Sequence, residues 1–482
     1  MNHLWWDLET TDLKYATGGI LQAGFKLTSD TFQVLDEFET NARIKVGIVP
    51  SVYALLKNSV NPLEAQKRNK SSFQLIKEVH DKMIKWSPFI STTFNGISFD
   101  ENFARFAFNS SLLPVYITQG KNKRLDILNV LRATSIFDPG KIKYSINKDG
   151  NDAFGLEGIS RLNNIAQDGF HDAAQDVNCT IELAKIISER CPIIWKSAVM
   201  SCDPLTILPI IQSEKFFATF DTWQANIYTR CLTFVTINPS KDNQVICFDL
   251  ANDPQIILNH LNDYDGLKKL IEAKPKPTRT IKYKASPIIL NAKYALKHET
   301  YSRIGINILE QRANKIIENR NVLAERIGAV YKDIEEKRVQ KRKENIDKLK
   351  PEELLYDIGF PNEKDQQLMV DFHKTDDWSK KVNFIGKFDC NNAIYSYFAT
   401  RIIYEETGDT YLPPDMYKGM HREIASRILS EKKENFMTCR EAEYDLDQNY
   451  AKFEEAKDEK NLNLLKDIDT FIQGIRRTYE NA

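Results

Sequence analysis

Leu4-Trp5-Trp6-Asp7-Leu8-Glu9-Thr10-Thr11 reads as a buried strand, apolar on both faces, into which two carboxylates are set. Side chains alternate along a strand with a period of two, so Asp7 and Glu9 point to the same side, close enough to share a cation. Two acids held together on an apolar strand repel one another unless something positive sits between them. An edge strand with one solvated face could also carry such a pair. Trp5, Trp6 and Leu8 argue against it, and the rest of the chain decides the matter by whether it supplies partners.

The 482 residues suffice for about two to four domains with separate hydrophobic cores. A hydrophobic content of 42% with 11% aromatics describes an ordinary globular protein. Basic and acidic residues balance at 66 and 67, so no global field draws in a polyanion, although local placement of charge still can. The cysteines are odd in number and scattered without CxxC pairs, which fits reduced thiols in a cytoplasmic protein. Cys191 and Cys202 have no His or Cys at zinc spacing and read as small core residues. No basic segment precedes an apolar run at the N-terminus and no stretch is long enough to span a membrane, so no membrane association is expected.

After the acidic strand, strands are expected over 20–27 and 32–38, and a helical stretch over 61–86 that stops before Pro88. Residues 89–94 form another strand, broken at Asn95-Gly96, with a helix over 99–106. Arg124 to Leu128 leads into a further helix, 140–155 is polar and loop-like, and helices follow over 156–165 and 172–189. Strands, then strand–helix alternation, predict an α/β domain over 1–190. From Pro192 the texture changes to short strands (216–220, 231–236, 245–250, 280–284) that predict a small antiparallel barrel, followed by helices over 300–349. The mixed charges around Lys337-Arg338 and Lys341-Arg342-Lys343 read as a solvated helix face. Residues 351–482 read as an α-helical domain, with helices over 363–373, 391–406, 415–456 and 459–479.

Two further acidic positions join the strand. Asp100 lies just past a strand end, at the start of a helix, where active-site residues collect in α/β sheets. In Gly169-Phe170-His171-Asp172-Ala173-Ala174-Gln175-Asp176, Asp172 is well placed as an N-cap, which leaves Asp176 without a structural reason. Taken together, Asp7, Glu9, Asp100 and Asp176 suit two hard divalent cations bound through oxygen. Two such ions about 3.5–4 Å apart clamp the attacking and leaving oxygens of a phosphodiester. His171, titrating near neutrality, suits the proton of the attacking water.

The order Asp7-x-Glu9, then Asp100, then His171-Asp172-Ala173-x-x-Asp176 resembles the histidine-type DnaQ-like (DEDDh) 3′–5′ exonuclease superfamily. Within it, the chain is similar over nearly all its length to the bacterial exonuclease I family of single-strand-specific exodeoxyribonucleases. The segments that carry the likeness are 6–10, 94–101, 156–157, 171–177, 249–251, 286–287 with 303–307, and 355–360. The resemblance implies an α/β RNase H-like (DnaQ-like) exonuclease domain over 1–190. It implies an SH3-like β-barrel region with a helical extension over 191–350, and an α-helical C-terminal domain over 351–482. It implies a Mg²⁺-dependent 3′–5′ exonuclease that releases 5′-mononucleotides from single-stranded DNA in DNA repair and recombination, with Mn²⁺ able to substitute. Asp7, Glu9, Asp100 and Asp176 would hold two metal ions and His171 would be the general base. Thr10, Gln22, Asn95 and Phe99 would line the pocket for the 3′-terminal nucleotide, and Arg124 would approach phosphate. A monomer that docks the acidic C-terminal tail of single-stranded-DNA-binding protein is also implied.

Three departures from the family pattern concern substrate grip. Asp12 stands where the family has Gly, Gly155 stands where it has Arg before Leu-Glu, and Tyr397-Phe398-Ala399-Thr400-Arg401-Ile402 replaces a basic segment. Phe216, Phe217, Trp223, Tyr228, Lys282, Tyr283 and Lys284 are candidates for stacking bases or tracking a backbone, or else for the barrel's own core. Two other readings stay open: the same chemistry on RNA or in proofreading, and a non-catalytic single-strand-binding protein that keeps the fold. Retention of all five catalytic positions argues against the last.

Overall fold

The computed structural model describes residues 1–148, 150–166, 168–223, 226–388 and 393–482. The acidic strand, β1 (His3–Thr10), is the centre of a five-stranded sheet. β2 (Ile20–Thr28) pairs with it antiparallel, and β3 (Val34–Asn41) pairs antiparallel with β2. On its other side β4 (Ile90–Thr93) runs parallel to β1, and β5 (Lys123–Asp126) parallel to β4, giving the order β3-β2-β1-β4-β5. The edge-strand reading of β1 therefore fails. Trp5 and Trp6 are fully buried, and each indole N–H donates a 2.8 Å hydrogen bond, to Thr28 Oγ1 and Ser91 Oγ respectively. A buried indole needs such a partner.

The alternation along β1 sorts its residues between two cores. Leu4, Trp6 and Leu8 face a cluster with Phe25, Leu75, Val79, Met83 and Phe103. Trp5 faces the opposite cluster, with Ile90, Leu125, Val177 and Ile181. Asp7 and Glu9 share the side of Trp5, towards the helix Ala173–Arg190. That helix lies hard against β2 at Gly24, where a Cβ would come within 2.6 Å of the Ala173 and Ala174 backbone. Only glycine permits this approach, and it brings the first turn of the helix over the two acids.

Several local expectations change. The helical stretch over 61–86 is two helices, Pro62–Ala65 and Ser72–Trp86, because Ser71 and Gln74 form a reciprocal capping box that starts the second afresh. A short helix, Val52–Lys57, precedes them, in a stretch for which no element was expected. The loop over 140–155 holds a small ribbon, β6 (Ser145–Ile146) and β7 (Asp152–Ala153). Residues from Pro192 do not enter strands directly. Each of the helices Pro192–Ser201 and Pro204–Ser213 opens on a proline at its first position.

The second sheet follows: β8 (Phe217–Trp223), β9 (Asn226–Ile237), β10 (Val245–Asp249), β11 (Thr278–Ile281) and β12 (Leu290–Asn291), antiparallel in the order β11-β10-β9-β8-β12. The helices Glu299–Ile304, Ile306–Glu318 and Arg320–Lys343 close it off. The charge run is the exposed end of the last of these, where Arg342 forms a two-pronged salt bridge with Asp357. The C-terminal region is helical: Glu363–Lys374, Ala393–Thr407, Pro414–Ile428, Cys439–Ala456 and Glu459–Tyr479. The expected helix over 391–406 begins partly outside the described residues, and the one over 415–456 is broken between Ile428 and Cys439.

The cores do not respect the boundaries drawn along the sequence. Trp5, Leu125 and Val177 of the first region share a cluster with Ala218, Phe248 and Leu309 of the second. Leu21, Ile44, Val49, Val52 and Leu55 share another with Phe398, Ile402, Ile424 and Ile472. Arg401 crosses this second junction. It pairs with Glu405 and donates to the backbone oxygens of Val46 at 2.7 Å and Gly47 at 3.4 Å. The six described cysteines are free and buried, Cys191 and Cys202 among them, as small core residues. No described helix is by itself long and apolar enough to cross a membrane.

Candidate active site

β1 delivers Asp7 and Glu9 at its C-terminal end, where a bulge between Glu9 and Thr10 interrupts the ladder with β2. Asp100 opens the helix Asp100–Ser110, is buried, and accepts a 3.1 Å hydrogen bond from the Leu8 amide. The bond ties the helix start to the strand between the two acids. Asp126 sits beneath the preceding turn as N-cap of the next helix. It accepts from the amides of Asn95 at 2.9 Å, Ile97 at 3.3 Å and Leu128 at 3.0 Å, which fixes the path from β4 into Asp100. Asp172 caps the helix Ala173–Arg190 through the Gln175 amide at 3.1 Å, as its spacing predicts, and Asp176 in the first turn faces the strand acids.

One acceptor oxygen of Asp176, Oδ1, is buried and has no hydrogen-bond partner. His171 sits in the left-handed region at φ +65° just ahead of the cap, a costly conformation for a non-glycine residue and one that turns its imidazole towards the acids. Ligand atoms of Glu9, His171 and Asp176 all lie within 4.8 Å of one another.

Like charges in a dry site cannot all be ionised. Burial, and then the nearby Asp100, Glu9 and Asp176, hold Asp7 protonated well above the usual carboxylate range. Burial, followed by Asp176 and Asp100, pushes Glu9 up to about 8. Burial is the main cause at Asp100 as well, raised to about 7, and at Asp176, raised to about 6. His171 moves the other way. Burial and the Lys57 ammonium lower it while Glu157, whose Oε2 lies 3.9 Å from Nε2, partly restores it. The arrangement is four carboxylates that need a positive charge, beside a histidine that is neutral at pH 7.

The residues expected to line the nucleotide pocket are placed less uniformly. Thr10 Oγ1 donates to the Asp12 carbonyl at 2.9 Å, and Asp12 is itself buried with Oδ1 accepting from the Leu13 amide at 2.6 Å. The turn after the acidic strand is thus held by its own side chains. Gln22 donates to Asp172 at 2.8 Å and to Glu39 at 2.9 Å, bracing the helix that carries Asp176. Asn95 is exposed and in the left-handed region, with its side chain accepting from Ser98 at 2.9 Å. Phe99 is half-buried against Phe103. Arg124 is not free to meet a phosphate: it is ion-paired with Glu101 at 3.0 Å and hydrogen-bonded to the Lys284 carbonyl. It joins β5 to the turn Tyr283–Ala285 that follows β11.

Gly155 is the N-cap of the helix Leu156–Leu162, and a Cβ there would meet nothing, so the missing arginine leaves open space. Of the replaced 397–402 segment, Tyr397 binds Glu352 and Arg427 while Arg401 spans the junction described above. With Thr400 donating to the Ser396 carbonyl, all three polar side chains of the segment are committed to internal contacts. Among the barrel aromatics, Phe216, Phe217 and Tyr283 are core. Trp223 and Tyr228 are 59% and 38% exposed, with Lys274 5.5 Å from the first ring and Arg230 5.4 Å from the second. Two residues beside the acids were not singled out from the sequence. Glu157 enters from the sequence only through the Leu156-Glu157 segment, and Lys57 not at all, because both reach the site through tertiary folding.

Residues 217–333 match the exonuclease I SH3-like domain. In sequence the chain is 28% identical over 225 residues to exodeoxyribonuclease I of Buchnera aphidicola (subsp. Baizongia pistaciae), 44% of this chain and 46% of that one. It is 25% identical over 324 residues to exodeoxyribonuclease I of Escherichia coli, 64% of this chain and 67% of that one. The first match thus spans about half of its relative's length. In fold the likeness extends over nearly the whole chain. Solved structures of E. coli exonuclease I with a dA16 oligonucleotide (TM-score 0.81, 19% identity) and of a moderately thermophilic exonuclease I from Methylocaldum szegediense (TM-score 0.80, 17% identity) each align over 98% of this chain and 99% of their own.

Proposed function

We propose that this chain, which takes the exonuclease I fold over nearly its whole length, is a divalent-metal-dependent 3′–5′ exonuclease that hydrolyses single-stranded DNA to 5′-mononucleotides. The observation that carries the reading is the convergence of Asp7, Glu9, Asp100 and Asp176 on one buried side of β1, next to His171.

The residues fit a cation. The unpartnered Asp176 Oδ1, the close approach of Glu9, His171 and Asp176, and the upward displacement of all four carboxylates each point to a missing positive charge. All-carboxylate oxygen donors favour hard ions, so Mg²⁺ is the proposed cofactor, two per site, with Mn²⁺ substituting. Asp7, Glu9, Asp100 and Asp176 would hold them, and bound there the ions supply Lewis-acid stabilisation of the attacking and leaving oxygens. His171, neutral at pH 7, accepts the proton of the attacking water. Glu157 steadies its imidazole and the charge it acquires. Thr10, Asn95 and Phe99 rim the place of the 3′-terminal nucleotide, and the exposed Trp223 and Tyr228 offer stacking faces that do not read sequence. The chain works as a monomer in the cytoplasm, in DNA repair and recombination, and meets the acidic tail of single-stranded-DNA-binding protein.

The test is degradation of 5′-labelled single-stranded DNA, its duplex and its RNA equivalent, with Mg²⁺ and with EDTA, by wild type, Asp7→Ala and His171→Ala. A Mg²⁺-dependent ladder shortening from the 3′ end on single-stranded DNA is expected. Asp7→Ala abolishes it, while His171→Ala keeps metal and DNA binding and loses turnover. Equal cutting of RNA would discard the substrate, and unchanged cutting by Asp7→Ala would discard the site.

A further inference from the structure

The proposed substrate brings a phosphodiester, an anion, to a site built from four carboxylates and a neutral histidine. Beyond the metal ions proposed there, a side-chain cation beside the strand that is not already spoken for would help to hold it. The two positions from which the family pattern would supply one do not. Arg124 is engaged by Glu101 and the Lys284 carbonyl, and position 155 is a glycine with open space around it.

Lys57 meets the requirement. It is the last residue of the helix Val52–Lys57, and that helix is fastened at both ends to the residues just after Glu9. The Ser51 amide donates to the Thr11 carbonyl at 2.8 Å, and the Asn58 side chain donates to the Thr10 carbonyl at 3.3 Å. The helix C-terminus therefore sits beside the bulge that ends the acidic strand. Lys57 is close enough for its charge to act on Asp7, Glu9, Asp176 and His171 alike. Yet among the described residues it forms no ion pair, and it is exposed. It stands at the mouth of the site rather than in it, with its amine unclaimed. A cation at a helix C-terminus is also favourably placed with respect to the helix dipole.

We infer that Lys57 is a substrate-binding residue of this site, its ammonium taking a non-bridging oxygen of the phosphate that links the 3′-terminal nucleotide to the strand. The inference rests on the nuclease reading above. A charged contact of this kind costs on the order of 10- to 100-fold in binding when its donor is removed.

The experiment compares wild type, Lys57→Gln and Lys57→Arg on two oligothymidylates, one all-phosphodiester and one with an uncharged methylphosphonate at the 3′-terminal linkage. Equilibrium binding is measured in EDTA and cleavage in Mg²⁺. Lys57→Gln is expected to weaken binding of the all-phosphate strand by about tenfold or more, with an unchanged melting temperature. The slope of log affinity against log salt is expected to fall by about 0.7. Lys57→Arg should restore most of the affinity, and on the methylphosphonate strand wild type and Lys57→Gln should bind alike. Equal weakening of both strands would make Lys57 a general surface charge, and no weakening would remove it from the site; either overturns the inference. Wild type that fails to cut the phosphodiester strand with Mg²⁺ defeats the nuclease reading instead, and the binding comparison still judges Lys57.

Discussion

Replacing Glu9 by Gln should make the metal-free protein more stable. Burial, with Asp176 and Asp100 nearby, keeps Glu9 protonated up to about pH 8 instead of its usual 4.5. An acid with a raised value in the folded state binds more protons folded than unfolded there, so stability falls as pH rises from about 4.5 to about 8 and levels off above. At 1.36 kcal/mol per pH unit the cost is about 3 kcal/mol at pH 7 and approaches about 5 kcal/mol above pH 9. Polarisable surroundings reduce it, so a gain of at least about 2 kcal/mol for Glu9→Gln is expected at pH 9. Urea unfolding in EDTA at pH 4.5, 7 and 9 measures it. The two proteins should coincide within about 0.5 kcal/mol at pH 4.5 and diverge as pH rises. Excess Mg²⁺ should then stabilise wild type more than the variant, since a ligand stabilises whatever state binds it. A variant no more stable than wild type at pH 9 in EDTA, or a gap that does not grow with pH, would refute the picture of four acids crowded without a cation.

Glu157→Gln removes a carboxylate that raises His171, so the acidic limb of the pH–rate profile should move to lower pH; a limb that stays or rises would separate Glu157 from the base. Trp223→Ala and Tyr228→Ala should each weaken single-stranded DNA binding by about 1–3 kcal/mol while leaving thermal unfolding in place. Phe217→Ala, in the core of the same sheet, should instead destabilise by about 3–5 kcal/mol, so the pair of measurements separates stacking faces from packing.

What could be read from the sequence was what local pattern encodes. A period of two in β1 put Asp7 and Glu9 on one side, and a cap at Asp172 left Asp176 needing another explanation. The helix Glu459–Tyr479 was readable to its ends because Asp458 caps it and its apolar positions recur at helical spacing. The misses share a cause as well. Val52–Lys57 is too short to show a period, and its neighbours, not its propensity, make it helical. The helices over 192–213 were given no element, because they are apolar on nearly every side and show little helical period. Arg124 was given a phosphate by the family resemblance alone, and its contacts with Glu101 and the Lys284 carbonyl, 23 and 160 residues away, lie beyond what local pattern shows. Lys57 was invisible for the same reason: nothing near it in sequence is acidic, and the acids beside it arrive from two other elements, β1 and the helix Ala173–Arg190.

Arg401 gives the C-terminal helices a say in the geometry of the acids. Its guanidinium holds the backbone at Val46 and Gly47, and Gly47 could carry no side chain there, since a Cβ would lie 2.7 Å from Nη2. From Gly47 the chain runs on to Ser51, which is bonded to Thr11, and through the short helix to Asn58, which is bonded to Thr10. The rim of the candidate site is therefore moored to the far end of the polypeptide, not to the sheet alone. A chain assembled this way has no detachable module. Trimming the C-terminal helices would slacken the backbone beside Glu9 as well as bare the apolar surface of Leu21, Val52 and Leu55, and the chain should unfold as one body.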